Sequence, residues 1–160
     1  MKDLSRLDWL ATGVVLVIAV ATAYEAAVAL HWVPIGTLPG EGARFEGFFR
    51  FAGWLAMLAG FVVSLLLAVA NRRTTPGVLL GAAAAALVAA HASTFDTYVL
   101  PTLVRYTEAG APPASWVAWI VAGGLLASVL CLVAPRLGFL VTACVIPVCL
   151  FTFTFTGCCN

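Results

Sequence analysis

Glu25, His91 and Asp96 are ionisable side chains that stand inside long apolar runs of this sequence. A charge kept in an apolar helix is costly, so such residues are by default candidates for ion binding, proton relay or a specific partner. Arg50 joins them because it can pair with Glu25 or Asp96, and Tyr98 because its hydroxyl falls at similar depth. Each also has a plainer reading. Glu25 can be neutral or reach toward the surface, Asp96 can bond nearby hydroxyls, and Arg50 can anchor a helix at an interface. His91 falls about 200° round a helix from Ala89, which turns it toward another helix or a partner subunit.

Spacing excludes several specific chemistries. A bis-histidine haem needs both rings at matched depth, whereas His31 and His91 differ by roughly 13 Å along their helices. No C-x-x-C, H-x-x-x-H or H-E-x-x-H spacing offers a zinc site, and neither a nucleophile elbow nor a phosphate-binding loop occurs. This argues against an enzyme. No cofactor is assigned.

The cysteines are Cys131, Cys144, Cys149, Cys158 and Cys159. The first three lie in apolar runs and read as packing residues. Cys158 and Cys159 are adjacent, and neighbouring α-carbons stand about 3.8 Å apart, too close for an unstrained disulfide between them. Soft-metal capture or a disulfide to another chain are the alternatives, and no specific role is the simplest reading. The vicinal pair is similar to that of bacterial mercuric-ion transporters, where it lies inside an early span. Here it follows the last apolar run, so that family is not assigned. The alternating Phe151–Thr156 segment fits either a helix end or a terminal strand.

The elements that must position these residues are membrane spans. Of the 160 residues, 63% are hydrophobic and 9% charged, with a net charge of +1. A soluble domain carries roughly a quarter charged residues. The near-neutral charge and single lysine, Lys2, exclude a nucleic-acid binder. Five runs reach the ~20 apolar residues that cross a bilayer: Trp9–Trp32, Gly47–Ala70, Pro76–Leu103, Ala114–Ala134 and Gly138–Thr156. Pro147 interrupts the fifth and predicts a kink. The first run resembles a signal peptide, with Ala21-Thr22-Ala23 as a cleavage-like site. It extends to Trp32, longer than such a core, and reads as an uncleaved span. The expected fold is an all-α integral membrane bundle of about five transmembrane helices, with residues 1–160 forming one domain.

Orientation follows the basic residues. Lys2, Arg6, Arg72, Arg73 and Arg136 fall on one side and Arg44, Arg50 and Arg105 on the other. The amino terminus is therefore expected in the cytoplasm and the carboxyl terminus outside, in a bacterial or archaeal plasma membrane. The tryptophans lie mostly near span ends, as in an aromatic belt. Glu25 and Asp96 then sit roughly 7 and 10 Å outside their span centres, with Thr22, Tyr24, Ser93, Thr94 and Thr97 at similar depth. The inner half is nearly free of ionisable groups, which predicts a polar pocket opening outward.

Small residues recur every fourth position at Ala52, Ala56, Gly60, Ser64 and Ala68, and at Gly77, Gly81, Ala85, Ala89, Ser93 and Thr97. A shorter series is Gly123, Ala127 and Cys131. Such stripes let helix backbones approach closely, and the first two predict a tight antiparallel hairpin of spans two and three. Short loops and missing motifs favour a non-catalytic accessory subunit of a larger membrane complex, with lipid and other membrane subunits as partners. The alternatives are a small cation- or proton-coupled transporter using the acidic pocket, and a membrane-embedded enzyme or quinone-reactive subunit.

Overall fold

The computed structural model describes residues 6–30, 32, 41–71, 74–94 and 114–157. Regular structure among them is entirely helical: α1 (Arg6–Ala29), α2 (Glu41–Ala70), α3 (Thr75–Thr94), α4 (Ala114–Val133) and α5 (Pro135–Gly157). Four are long and apolar enough to cross a membrane, over Arg6–Ala29, Gly47–Ala70, Thr75–Ala92 and Pro135–Thr152; the apolar part of α4, Ala118–Val133, is shorter. Residues 95–103 of the expected third span lie outside the described residues. The alternating Phe–Thr segment is helical as far as Gly157, and α5 runs through Pro147.

Local chemistry sets the helix ends. Asn71 adopts φ 49° after α2, and its N–H donates to the Leu67 carbonyl at 2.9 Å. Asn tolerates this left-handed conformation, which lets the chain leave the helix with its carbonyls still served. The Thr74 hydroxyl accepts a 3.1 Å hydrogen bond from the Gly77 N–H and caps α3. Only Ala134 separates α4 from α5, and Pro135 opens α5, where its missing N–H costs nothing.

The packing differs from the expected hairpin. α2 and α3 are consecutive but scarcely touch; α3 packs on α1, α4 and α5, and α2 packs on α5 and α1. Each stripe of small residues serves other neighbours. On α2, a methyl group at Gly60 would meet Val14 of α1, Leu80 of α3 and Ile146 of α5, placing this stripe at the junction of four helices. On α3, Gly77 faces Phe139, while Gly81 faces Thr142 and Ala127. α3 and α4 also come close together, where a Cβ on Gly124 would lie 2.8 Å from the Gly81 carbonyl oxygen. Small residues thus permit close approach as expected, but to different partners.

Ile18, Met57, Leu67, Leu80, Leu87, Phe139 and Ile146 fill the centre and are fully buried. Around them, Leu16, Phe51, Val69, Leu126, Leu140 and Phe151 stay exposed on different helices. So much apolar outer surface suits a membrane location and is poorly suited to water. Trp9, Trp32 and Trp119 are exposed, whereas Trp54 packs against the core.

The glycines give a direct test of this packing. A Cβ at Gly138 would overlap the Cys131 backbone, and one at Gly124 would press on Ala85 and Gly81, whereas Gly13 has open space. Gly124→Ala and Gly138→Ala are expected to cost at least about 1–3 kcal/mol. Gly13→Ala should gain up to about 1 kcal/mol of helix propensity. Thermal unfolding in detergent distinguishes them; equal behaviour of all three would contradict the packing.

Candidate functional site

The inward face of α1 carries Asp8, Ala11, Ile18, Ala21, Glu25 and Val28, all buried. These positions recur at intervals of three, four and seven residues, the spacing of one helix face. Glu25 is therefore drawn into the bundle by the same geometry that buries Ile18 and Ala21. Its residual exposure is 3%. On α3, Leu80, Ala84, Leu87 and His91 form a second buried series of this kind. α1 and α3 pack together extensively, and their inward faces bring Glu25 opposite His91.

The resulting cluster joins three helices. One Glu25 oxygen, Oε2, lies 3.5 Å from His91 Nδ1, and the other, Oε1, lies 3.9 Å from Arg50 Nε on α2. These are charge-pairing separations, longer than the ~2.7–3.2 Å of well-formed hydrogen bonds. Glu25 and His91 are almost completely enclosed, while the Arg50 side chain retains 24% exposure. The carboxylate–imidazole contact thus lies in a low-dielectric setting, where charge interactions are strong, and the guanidinium interaction is partly screened. Beside it, Tyr24 stacks on Phe49 with ring centroids 4.4 Å apart and planes 16° from parallel. Adjacent residues of α1 and adjacent residues of α2 therefore supply an aromatic pair and a charged pair at one level of the bundle.

Among the candidates read from the sequence, Glu25, His91 and Arg50 converge. His91 faces another helix, α1, and Arg50 approaches Glu25. Asp96, Tyr98, His31, Cys158 and Cys159 lie outside the described residues. Thr22 donates its hydroxyl to the Ile18 carbonyl at 2.8 Å, which commits that hydrogen to its own helix. Cys131 and Cys149 are buried and Cys144 is exposed, and all three are free thiols. Among the described residues, no group of three or more His, Cys, Asp or Glu side chains could hold a metal.

Sequence reading missed Asp8. The first span was expected to start at Trp9, leaving its half of the bundle nearly without ionisable groups. α1 instead begins at Arg6, and Asp8 joins the buried face with 9% exposure. Its spacing of three from Ala11 and seventeen from Glu25 is the signal that could have placed it there. A different feature lies on the outside of α4 and α5: an apolar groove of about 400 Å³, lined by Trp119, Ile120, Gly123, Leu140, Cys144 and Val145 among others.

No protein-family model, curated protein or solved structure matches the chain. Its functional reading therefore rests on the geometry of the cluster.

Coupling within the cluster is measurable. In a double-mutant cycle, Glu25→Gln and His91→Gln should show non-additive effects on thermal stability of about 0.5–3 kcal/mol. The Glu25–Arg50 cycle should give a smaller term, below about 1 kcal/mol, because Arg50 is partly solvated. Additive effects in both cycles would mean that the three side chains are neighbours without energetic linkage.

Proposed function

We propose that this chain is a small polytopic membrane protein that carries protons or cations through a site built on Glu25, with His91 and Arg50 as its partners. The observation that supports the reading is the burial of Glu25 between two basic side chains from different helices. Ionisable groups retained inside a membrane bundle usually mark ion paths or proton relays. Glu25 is the proton- or cation-accepting group. His91 accepts or returns a proton from the enclosed side, and Arg50 compensates the carboxylate from the more exposed side.

The proposed setting is a bacterial or archaeal plasma membrane, with the amino terminus cytoplasmic and the cluster in the outer half of the bilayer. The basic residues Arg72, Arg73 and Arg136 near the opposite end support that orientation. Asp96 and Tyr98, a few residues beyond His91, remain proposed members of the same site.

Proteoliposomes containing the full chain and an entrapped pH-sensitive dye provide the test. The native protein should dissipate an imposed proton gradient, and Glu25→Gln should slow this at least tenfold, equivalent to about 1.4 kcal/mol in the barrier. Both proteins must elute as folded, monodisperse species. Undiminished flux in the variant would remove Glu25 from the path.

A second reading is an accessory subunit of a larger membrane complex. The apolar groove beside the exposed Trp119 supports it, because that shape suits a neighbouring helix as well as lipid. Purification in mild detergent should then retain a stoichiometric partner that Trp119→Ala releases. A lone chain with full proton flux would exclude this reading.

A further inference from the structure

At the end of the bundle away from Glu25, a groove of about 370 Å³ lies where the end of α2 meets the turn between α4 and α5. Asn71, Ala134, Pro135, Arg136, Leu137 and Leu140 line it, and its size falls within the ~300–1,000 Å³ of small-ligand clefts. Arg136, Leu137 and Leu140 are exposed. Among the described residues, none forms an ion pair with Arg136. The sequence stretches that border this end carry Lys2, Arg6, Arg72, Arg73 and Arg136 against Asp3 and Asp8, so their balance is positive.

Leu140 also lines the apolar groove of about 400 Å³ between α4 and α5, so one side chain borders both spaces. On α5 the lining residues Leu137, Leu140, Val141, Cys144, Val145 and Val148 follow the i, i+3, i+4, i+7, i+8 pattern of one helix face. Arg136 stands four residues before Leu140, at the end of that face. From Arg136 to Val148 the helix rises about 18 Å, close to the depth of one leaflet of a ~30 Å hydrocarbon core. On the α4 wall Gly123 adds no side chain, and a Cβ there would still lie 3.7 Å from Val145.

The chemistry along this path therefore runs from a guanidinium and a carboxamide to an apolar slot. A free phosphate would use only the first part, and an apolar helix only the second. A phospholipid uses both, with its phosphate at the membrane surface and an acyl chain below it. The positive balance at this end favours a singly negative headgroup over a zwitterionic one, whose ammonium would add a further cation.

We infer that the face of α5 from Arg136 to Val148, with Asn71 of α2 and Trp119 and Gly123 of α4, binds one anionic phospholipid. Asn71 and Arg136 hold its phosphate, and one acyl chain lies in the slot across Leu140 and Cys144. This goes beyond the proposed function and does not depend on proton flux, because Glu25 lies toward the other end of the bundle. It gives to lipid the groove that the accessory-subunit reading gives to a helix.

Dioleoylphosphatidylglycerol and dioleoylphosphatidylcholine share their acyl chains and differ in headgroup charge. Each is added to the delipidated full chain in mild detergent, and binding is read by native mass spectrometry and thermal stability. The glycerol lipid should form a one-to-one adduct at least fivefold tighter than the choline lipid and raise Tm. Arg136→Gln should weaken it about fivefold, removing the preference. Cys144→Trp, which fills the slot from an exposed position, should weaken both lipids at least tenfold. Glycerol 3-phosphate, the headgroup without chains, should leave Tm unchanged.

Equal binding of the two lipids by the native chain would overturn the inference, and that comparison needs no variant. So would Arg136→Gln retaining the native preference, or Cys144→Trp retaining the native affinity. Glycerol 3-phosphate raising Tm as far as the lipid does would refute the acyl slot. A co-purifying protein that keeps phosphatidylglycerol off until Trp119→Ala releases it would refute the lipid and give the groove to a helix.

Discussion

A carboxylate removed from water must receive a proton or a nearby opposite charge, because apolar side chains cannot replace its hydration. Glu25 imposes that requirement on the whole bundle. Its place on the inward face of α1 is set by the three- and four-residue spacing that buries Ile18, Ala21 and Val28. Its compensation comes from α2 and α3 together, through Arg50 and His91. Helices that are otherwise apolar on all sides can slide or rotate at little cost, and a polar contact shared by three of them opposes both. The cluster thus fixes register at one level, while the small residues near Gly60, Gly81 and Gly124 fix the approach of the backbones at others.

The separation between α2 and α3 has a clear physical consequence. Had these consecutive helices formed a tight hairpin through their stripes, α3 would have spent its small-residue face on α2. Instead that face receives α4 and α5, and α3 packs on α1 as well, with His91 set against Glu25. Sequence neighbours need not be packing neighbours when a third helix offers a closer fit. The one-residue connection at Ala134 shows the opposite case, where Gly138 permits α5 to turn directly back on Cys131.

Helix existence and the candidate residues were legible in the sequence because an apolar run of sufficient length and an acidic residue within it are both strong local signals. Helix faces were much harder to read. In α1 and α3 the core-facing and outward-facing positions are both apolar, so no alternation of polarity reports which side is inside. Depth placed Glu25 and offered Arg50 as a partner for it or for Asp96, but left the contact with His91 unread, because pairing depends on rotation. Asp8 was missed for a related reason: a hydropathy reading ends a span at the first charge, whereas the helix continues past it. The stripes of small residues were visible, but spacing says that a backbone can come close without saying which one.

The central proposal is that Glu25 takes up and releases a proton beside His91 and Arg50. Infrared difference spectroscopy of the reconstituted chain tests it directly, because a protonated carboxyl has its own C=O stretch. Lowering the pH should raise such a band, which should vanish in Glu25→Gln and shift its midpoint in both His91→Gln and Arg50→Gln. A spectrum in which Glu25→Gln removes no band, or in which the two partner substitutions leave the midpoint unmoved, would contradict the account.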